Sequence, residues 1–208
     1  ETIATDISKR YLYNSKNLIS EMENGRGQKS NFIYDEIGRL TSITDLTGTV
    51  NYTYDENGNI LTVSDGSGTI TREYDILDRV IKYTDSRGNT IGYKYDCLGN
   101  LTELTYPGGK KVNYNYDALN RLTGVEDWKG RLTFYEYNEV GNLFKVVRPN
   151  GTVLTMEYDA GGNIIHQKDV NKDGSIINQY DYAYDKAGNI EEENGYYEND
   201  QFNVDNAV

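Results

Sequence analysis

The sequence predicts an all-β protein, a tandem array of roughly 21-residue β-hairpins laid side by side into one continuous, curled antiparallel sheet. Three observations predict it. A Tyr-Asp signature recurs at near-constant spacing along most of the 208 residues. Between signatures, apolar and polar residues alternate with the period of two that marks half-buried strands. The composition sets 20 tyrosines and 21 glycines beside two prolines, four phenylalanines and one tryptophan, which suits aromatic strands broken by glycine turns.

The signature pairs are Tyr34-Asp35, Tyr54-Asp55, Tyr74-Asp75, Tyr95-Asp96, Tyr116-Asp117, Tyr137-Asn138, Tyr158-Asp159 and Tyr184-Asp185, and Gly38, Gly58, Gly99, Gly141 and Gly188 follow within their turns. Successive tyrosines lie 20, 20, 21, 21, 21, 21 and 26 residues apart. A degenerate copy opens at Tyr13-Asn14, so about nine copies run from residue 11 to residue 190, and 191–208 read as a partial repeat or a cap. The whole of 1–208 is expected to be a single array. In the copy around Tyr54, Val50, Tyr52 and Tyr54 alternate with Asn51 and Thr53 as a first strand. Asp55-Glu56-Asn57-Gly58-Asn59 then places an Asx side chain first and a glycine where the backbone needs positive φ. Ile60 to Ser64 returns as a second strand, and Asp65-Gly66-Ser67-Gly68 turns the chain into the next copy. About 18 strands follow, and a sheet so wide coils because each strand twists by roughly 20–25° against its neighbour. One face is expected to pair Tyr52 and Tyr54 with Ile60, Tyr93 and Tyr95 with Leu101, and Tyr114 and Tyr116 with Leu122 as cross-strand rungs.

Composition narrows the function. A formal net charge of -12 repels a phosphate backbone, so nucleic acid is not an expected partner. The single cysteine, Cys97, excludes an intrachain disulfide. No apolar run reaches the roughly 18 residues of a membrane span, and the first residues lack the basic and apolar regions of a signal peptide. The chain starts and stops in mid-pattern, as an excerpt of a longer polypeptide would. Open strand edges at both ends favour end-to-end self-association.

Catalysis has little support. His166 and Cys97 are single residues at positions where other copies carry nothing similar, and a nucleophile–base pair would need them in roles the repeat does without. The recurrent aspartates share one repeat position, whereas an acid–base pair needs unlike environments. No enzyme activity and no resident cofactor are expected. Calcium is the one metal the sequence points to, through Asp169-Val170-Asn171-Lys172-Asp173-Gly174-Ser175, where Asp169, Asn171 and Asp173 stand like the first oxygen ligands of a calcium loop. The twelfth position is Tyr180 instead of a bidentate acid, and an elongated hairpin explains the same string. Tyrosines on a polar sheet also suit sugar rings, with Trp128 at a turn tip and Tyr52, Tyr93 and Tyr114 along the strands as the platform.

The string Tyr52-Thr53-Tyr54-Asp55-Glu56-Asn57-Gly58-Asn59-Ile60, and its counterpart Tyr114-Asn115-Tyr116-Asp117-Ala118-Leu119-Asn120-Arg121-Leu122, closely resemble the YD/RHS repeats. These occur in bacterial RHS and wall-associated proteins, in the C components of insecticidal toxin complexes and in teneurins. The resemblance covers about nine-tenths of the chain. It implies a segment of a spiral β-shell that, in a secreted or surface protein of bacterial origin, encloses or presents a C-terminal toxin or effector. The partner so implied is the remainder of a larger parent polypeptide. Complete shells of that family close with a core bearing an autoproteolytic aspartate motif and a variable C-terminal domain, and neither string occurs here. The expected role is therefore structural, with glycan binding through the tyrosine ladders as the alternative.

Overall fold

A computed structural model describes residues 8–197. Eighteen β-strands, and among the described residues no helix, make up the fold. The all-β class and the hairpin array are as the repeat predicts. The chain groups into two compact units, one holding everything up to Lys94 together with Thr105–Gly109, the other holding Tyr95–Leu104 and everything from Lys110 onward.

In the first unit the strands are β1 (Arg10–Tyr13), β2 (Ile19–Glu23), β3 (Lys29–Tyr34), β4 (Leu40–Asp45), β5 (Gly48–Tyr54), β6 (Ile60–Asp65), β7 (Gly68–Tyr74), β8 (Val80–Thr84) and β9 (Thr90–Tyr95). Each pairs antiparallel with the next in sequence. The second unit carries β10 (Leu101–Thr105), β11 (Lys111–Tyr116), β12 (Leu122–Glu126), β13 (Leu132–Tyr137), β14 (Leu143–Val147), β15 (Val153–Tyr158), β16 (Ile164–Val170), β17 (Ile176–Tyr184) and β18 (Ile190–Tyr197). There β11 to β18 form the same meander. Successive turns therefore alternate between two edges, signature turns on one and the connecting turns on the other.

The register explains the signature tyrosine. Within each signature hairpin the pairing slips just before that residue, as between Thr53 and Tyr54, where Thr53 faces Thr62 but Tyr54 faces Ile60. The same slip precedes Tyr34, Tyr74, Tyr116, Tyr137, Tyr158 and Tyr184. One extra residue on the returning strand is a β-bulge, which bends the ladder and re-aims the side chain beside it. The expected rungs form as Tyr54 with Ile60 and Tyr116 with Leu122, while Tyr52 meets Val63 and Tyr114 meets Val125.

The connecting turns are tighter than four residues in two places. Asp65 pairs with Gly68, and Asp45 with Gly48, so Gly66-Ser67 and Leu46-Thr47 alone make the loops. On the face opposite the tyrosines, Thr53, Thr62, Thr71, Thr84 and Thr90 stand in register across β5 to β9, with hydroxyls 2.6 Å apart for Thr53 and Thr62. In the second unit Gly124 of β12 pairs with Asn115 and Phe134, and the Asn115 side chain comes within 3.3 Å of where a Cβ would stand, so no gap is left at the glycine.

No described side chain is fully buried. Val112, Val146 and Met156 are the buried apolar residues, and all lie in the second unit. Order in this fold thus comes from strand-to-strand contacts more than from a deep core.

Candidate functional site

The recurring constellation is the signature turn together with what it grips. Asp55 shows how the turn is built. Its backbone N–H donates to the carbonyl of Asn59 at 3.0 Å, and the N–H of Gly58 returns to the Asp55 carbonyl. Its side chain accepts the N–H of Asn59 on one carboxylate oxygen at 2.8 Å and the Asn59 amide on the other at 3.0 Å. The fourth residue must take positive φ, and Gly58 does so at 95°. Asp78 and Asn120 fill that position in their copies at 60° and 61°, a conformation that Asp and Asn tolerate better than other side chains.

The last turn residue is asparagine or arginine, and both serve the aspartate. Arg39, Arg79 and Arg121 bring Nε to Asp35, Asp75 and Asp117 at 2.6, 2.8 and 2.7 Å. These contacts hold the carboxyls below the ordinary carboxylate range. The largest cause is the guanidinium for Asp35 and Asp75, the backbone N–H of Arg121 for Asp117, and the asparagine amide for Asp55, Asp96, Asp159 and Asp185. A carboxylate so tied is a cap, not a general acid.

The tyrosine then binds one copy to the one before. Tyr34, Tyr54, Tyr74, Tyr116, Tyr137, Tyr158 and Tyr184 donate their hydroxyls to the carbonyls of Ile19, Leu40, Ile60, Leu101, Leu122, Leu143 and Ile164, at 2.5 to 3.0 Å. Each acceptor is the first residue of the preceding copy's second strand. Burial pushes the phenols of Tyr54, Tyr116 and Tyr158 up, so the donor stays protonated at neutral pH. Two further links cross the same junction. Arg39 lies 4.8 Å over the Tyr54 ring and donates to the Asp55 carbonyl at 2.7 Å, and Arg121 lies 4.6 Å over the Tyr137 ring. Where asparagine replaces arginine, Asn59 and Asn57 donate to Asp78 at 2.6 and 2.8 Å, and Asn100 donates to Asn120 at 3.0 Å.

Several connecting turns reuse the same device. Asp85-Ser86-Arg87-Gly88-Asn89 and Asp127-Trp128-Lys129-Gly130-Arg131 repeat the capping bonds of Asp55 atom for atom. The Arg131 guanidinium holds the Asp127 carboxyl down to about 2. Their string, Asp-x-x-Gly-Asn/Arg, is the signature turn without its tyrosine, and that signal was present in the sequence.

The calcium-loop residues do not converge. Asp169 lies inside β16, paired with Leu154 and Asn178, and its carboxylate takes Arg148 at 2.8 and 3.0 Å. Asn171 bonds Ser175, and Asp173 turns its carboxylate back to the Ser175 N–H and hydroxyl. Among the described residues no group of three or more His, Cys, Asp or Glu is placed to hold a metal. The 26-residue interval holds two longer strands, so the string is the elongated hairpin, with Asp169 in the ladder instead of a loop.

The four aromatic residues of the sugar platform fall in both units. Tyr52 and Tyr93 belong to the first unit and Tyr114 and Trp128 to the second, with the tyrosines half-buried along their strands. Trp128 is exposed at its turn, but the Lys110 ammonium covers one face of the indole at 5.3 Å. His166 faces Asp181 across β16 and β17, with Nδ1 2.6 Å from the carboxylate, and Cys97 is exposed at a turn tip.

This architecture has known counterparts. The family model described as the teneurin YD-shell matches residues 4–123, more than half of the chain, and the RHS repeat model matches 137–176. No curated protein sequence matches. Among solved structures, TcdB2-TccC3 shares 15% identity over 91% of this chain with a TM-score of 0.71, and TcdB2-TccC3-Cdc42 shares 15% over 90% at 0.70. TcdB2-TccC3 without its hypervariable C-terminal region shares 16% over 90%, also at 0.70. At such identity the likeness is one of fold, and this chain spans only 11 to 12% of those chains. No helix among the described residues is long and apolar enough to cross a membrane. Matched over most of its length by models of the same tandem hairpin, and built from the tyrosine clasp those hairpins share within it, the chain belongs to the teneurin YD-shell family.

Proposed function

We propose that this chain is a length of wall in a larger secreted or surface protein, and that in the parent polypeptide the wall encloses a C-terminal effector. One observation carries the reading: seven signature tyrosines each fasten a hairpin to the one before through a backbone carbonyl, a link that any further copy can repeat. Wall-building needs this property and catalysis does not. The wall reading also accounts for carboxylates committed to turn capping and for a single histidine engaged by Asp181. Two solved relatives point to the enclosed effector by their composition, one carrying Cdc42 and one lacking a hypervariable C-terminal region.

The test is limited proteolysis of the parent polypeptide. Its C-terminal region is expected to resist protease in the intact protein and to become cleavable when the clasps of two adjacent copies are removed together by Tyr137→Phe and Tyr158→Phe. Equal cleavage with and without the clasps would refute enclosure. Purified wall turning over peptide or glycoside substrates would refute a purely structural role.

A further inference from the structure

The two edges of the array differ in shape and charge at the same period. At the signature edge of the second unit, Leu98, Leu119 and Val140 occupy the same turn position in three successive copies, exposed to 66, 72 and 81%. The capping aspartate holds this residue outward by accepting its N–H, at 2.9 Å for Leu98 and Leu119. At the connecting edge of the same unit, successive turns leave grooves between them. One of about 440 Å³ is floored by Val125, Thr133 and Pro149, and the next, of about 520 Å³, lies between Asn150 and Lys172. Knobs and grooves alike advance by one hairpin, two strand spacings or about 9.6 Å. The first unit repeats the pattern, with Ile37 and Leu77 exposed on one edge and a groove of about 530 Å³ beside Gly88 and Gly109 on the other.

Charge follows the same division. Five connecting turns carry a basic residue at the exposed tip, Arg26, Arg87, Lys110, Lys129 and Lys172, although the chain as a whole carries -12, while the turns that begin at Asp45 and Asp65 carry only the acid. The acids of those turns, Asp85, Asp127 and Asp173, keep their charge while they cap, but in the second unit Lys110, Lys129, Arg131 and Lys172 outnumber them. The signature edge presents Glu36, Glu56 and Glu139 at its variable positions, with Lys16 and Lys186 as exceptions.

We propose that the signature edge of one copy of this chain docks on the connecting edge of a second copy, Leu98, Leu119 and Val140 entering the grooves between connecting turns while Glu139 meets Lys129 or Lys172. Periodic knobs need grooves of equal period, and the connecting edge of the same array supplies them with the opposite charge. The contact is heterologous, so arrays stack side by side in an open series. Small aliphatic knobs in open grooves bury less than the roughly 1,200 Å² of stable complexes, which makes the association weak, reversible and sensitive to salt. The inference is independent of what the wall encloses, and its failure would leave the wall reading standing.

Analytical ultracentrifugation of the full chain over a wide concentration range tests it. Wild type is expected to gain mass reversibly at low salt and to lose that gain at high salt. The knob variant L98S/L119S/V140S and the tip variant K129E/K172E should each remain monomeric, and all five positions are exposed, so circular dichroism should match wild type. Mixed together, the two variants each retain one sound edge and should form a complex of two chains and nothing larger. A wild type that stays monomeric at every concentration overturns the proposal, as does association that neither variant weakens, which would mark pairing of open strands instead.

Discussion

Replacing Tyr137 with phenylalanine removes one hydroxyl and keeps the ring that stacks beneath Arg121. The lost bond is the 2.9 Å donation to the Leu122 carbonyl, across the junction between two copies. A neutral hydrogen bond contributes about 0.5–1.5 kcal/mol net, and an acceptor left dry costs more. Tyr137 and Leu122 are only half-buried, so water reaches the freed carbonyl and the loss should settle near 1 kcal/mol. For a chain of this size that lowers Tm by about 2–4 °C. Tyr13 provides the control, because it opens the first copy and stands 56% exposed on β1, and Tyr13→Phe should leave the stability within about 0.5 kcal/mol of wild type. Thermal unfolding by circular dichroism gives the shift, and hydrogen exchange should place the new opening around residues 122–137 while the first unit keeps its protection. Equal effects of the two substitutions, or none from Tyr137→Phe, would mean that the clasp is geometry without energy.

Other outcomes follow from the same turns. The signature aspartates, and Asp45, Asp85 and Asp127 of the connecting turns, have depressed pKa values, Asp127 down to about 2, so their contribution is complete above the unfolded value near 3.8 and is lost as pH falls toward 2. Tm measured from pH 6 to pH 2 should therefore hold level and then fall below about pH 4, and Asp127→Asn should flatten that fall. Gly48 and Gly68 occupy matching turns with φ of 139° and 142°, but a Cβ at 68 would sit 2.8 Å from the Ser86 Cβ while one at 48 meets nothing within 4 Å. Both alanine variants should lose about 1–2 kcal/mol to strain, with Gly68→Ala losing clearly more by chemical denaturation. Asp78→Gly should cost stability in the wild type yet restore it in Asn57→Ala/Asn59→Ala, since the bonds from these asparagines offset the left-handed backbone at 78; additive effects in this cycle would deny the link.

The period of the sequence carried the fold. Tyr54, Asp55 and Gly58 are legible because their roles are local: an aspartate caps a turn within four residues, and glycine takes the φ that the turn requires. The clasp was not legible, because the tyrosine hydroxyl acts 14 to 20 residues away on a carbonyl, a group every residue possesses and no side-chain pattern advertises. Arg39 over Tyr54 was hidden for the same reason, as the residue type fits its own turn before it fits its neighbour's ring. Between the calcium loop and the elongated hairpin that Asp169 left open, strand length decides, and the longer β16 draws the acid into the ladder. The capped turns at Asp85 and Asp127 were readable in principle, their string matching the signature once the tyrosine is ignored.

The scarcity of dry interior reaches into the thermodynamics. Heat capacity rises on unfolding chiefly because apolar surface becomes wet, and here most apolar side chains are already part-wet when folded. Calorimetry should therefore return a heat-capacity increment below the usual 12–15 cal/mol/K per residue. A smaller increment bends the free-energy dome less, so resistance to unfolding changes little between cold and warm surroundings.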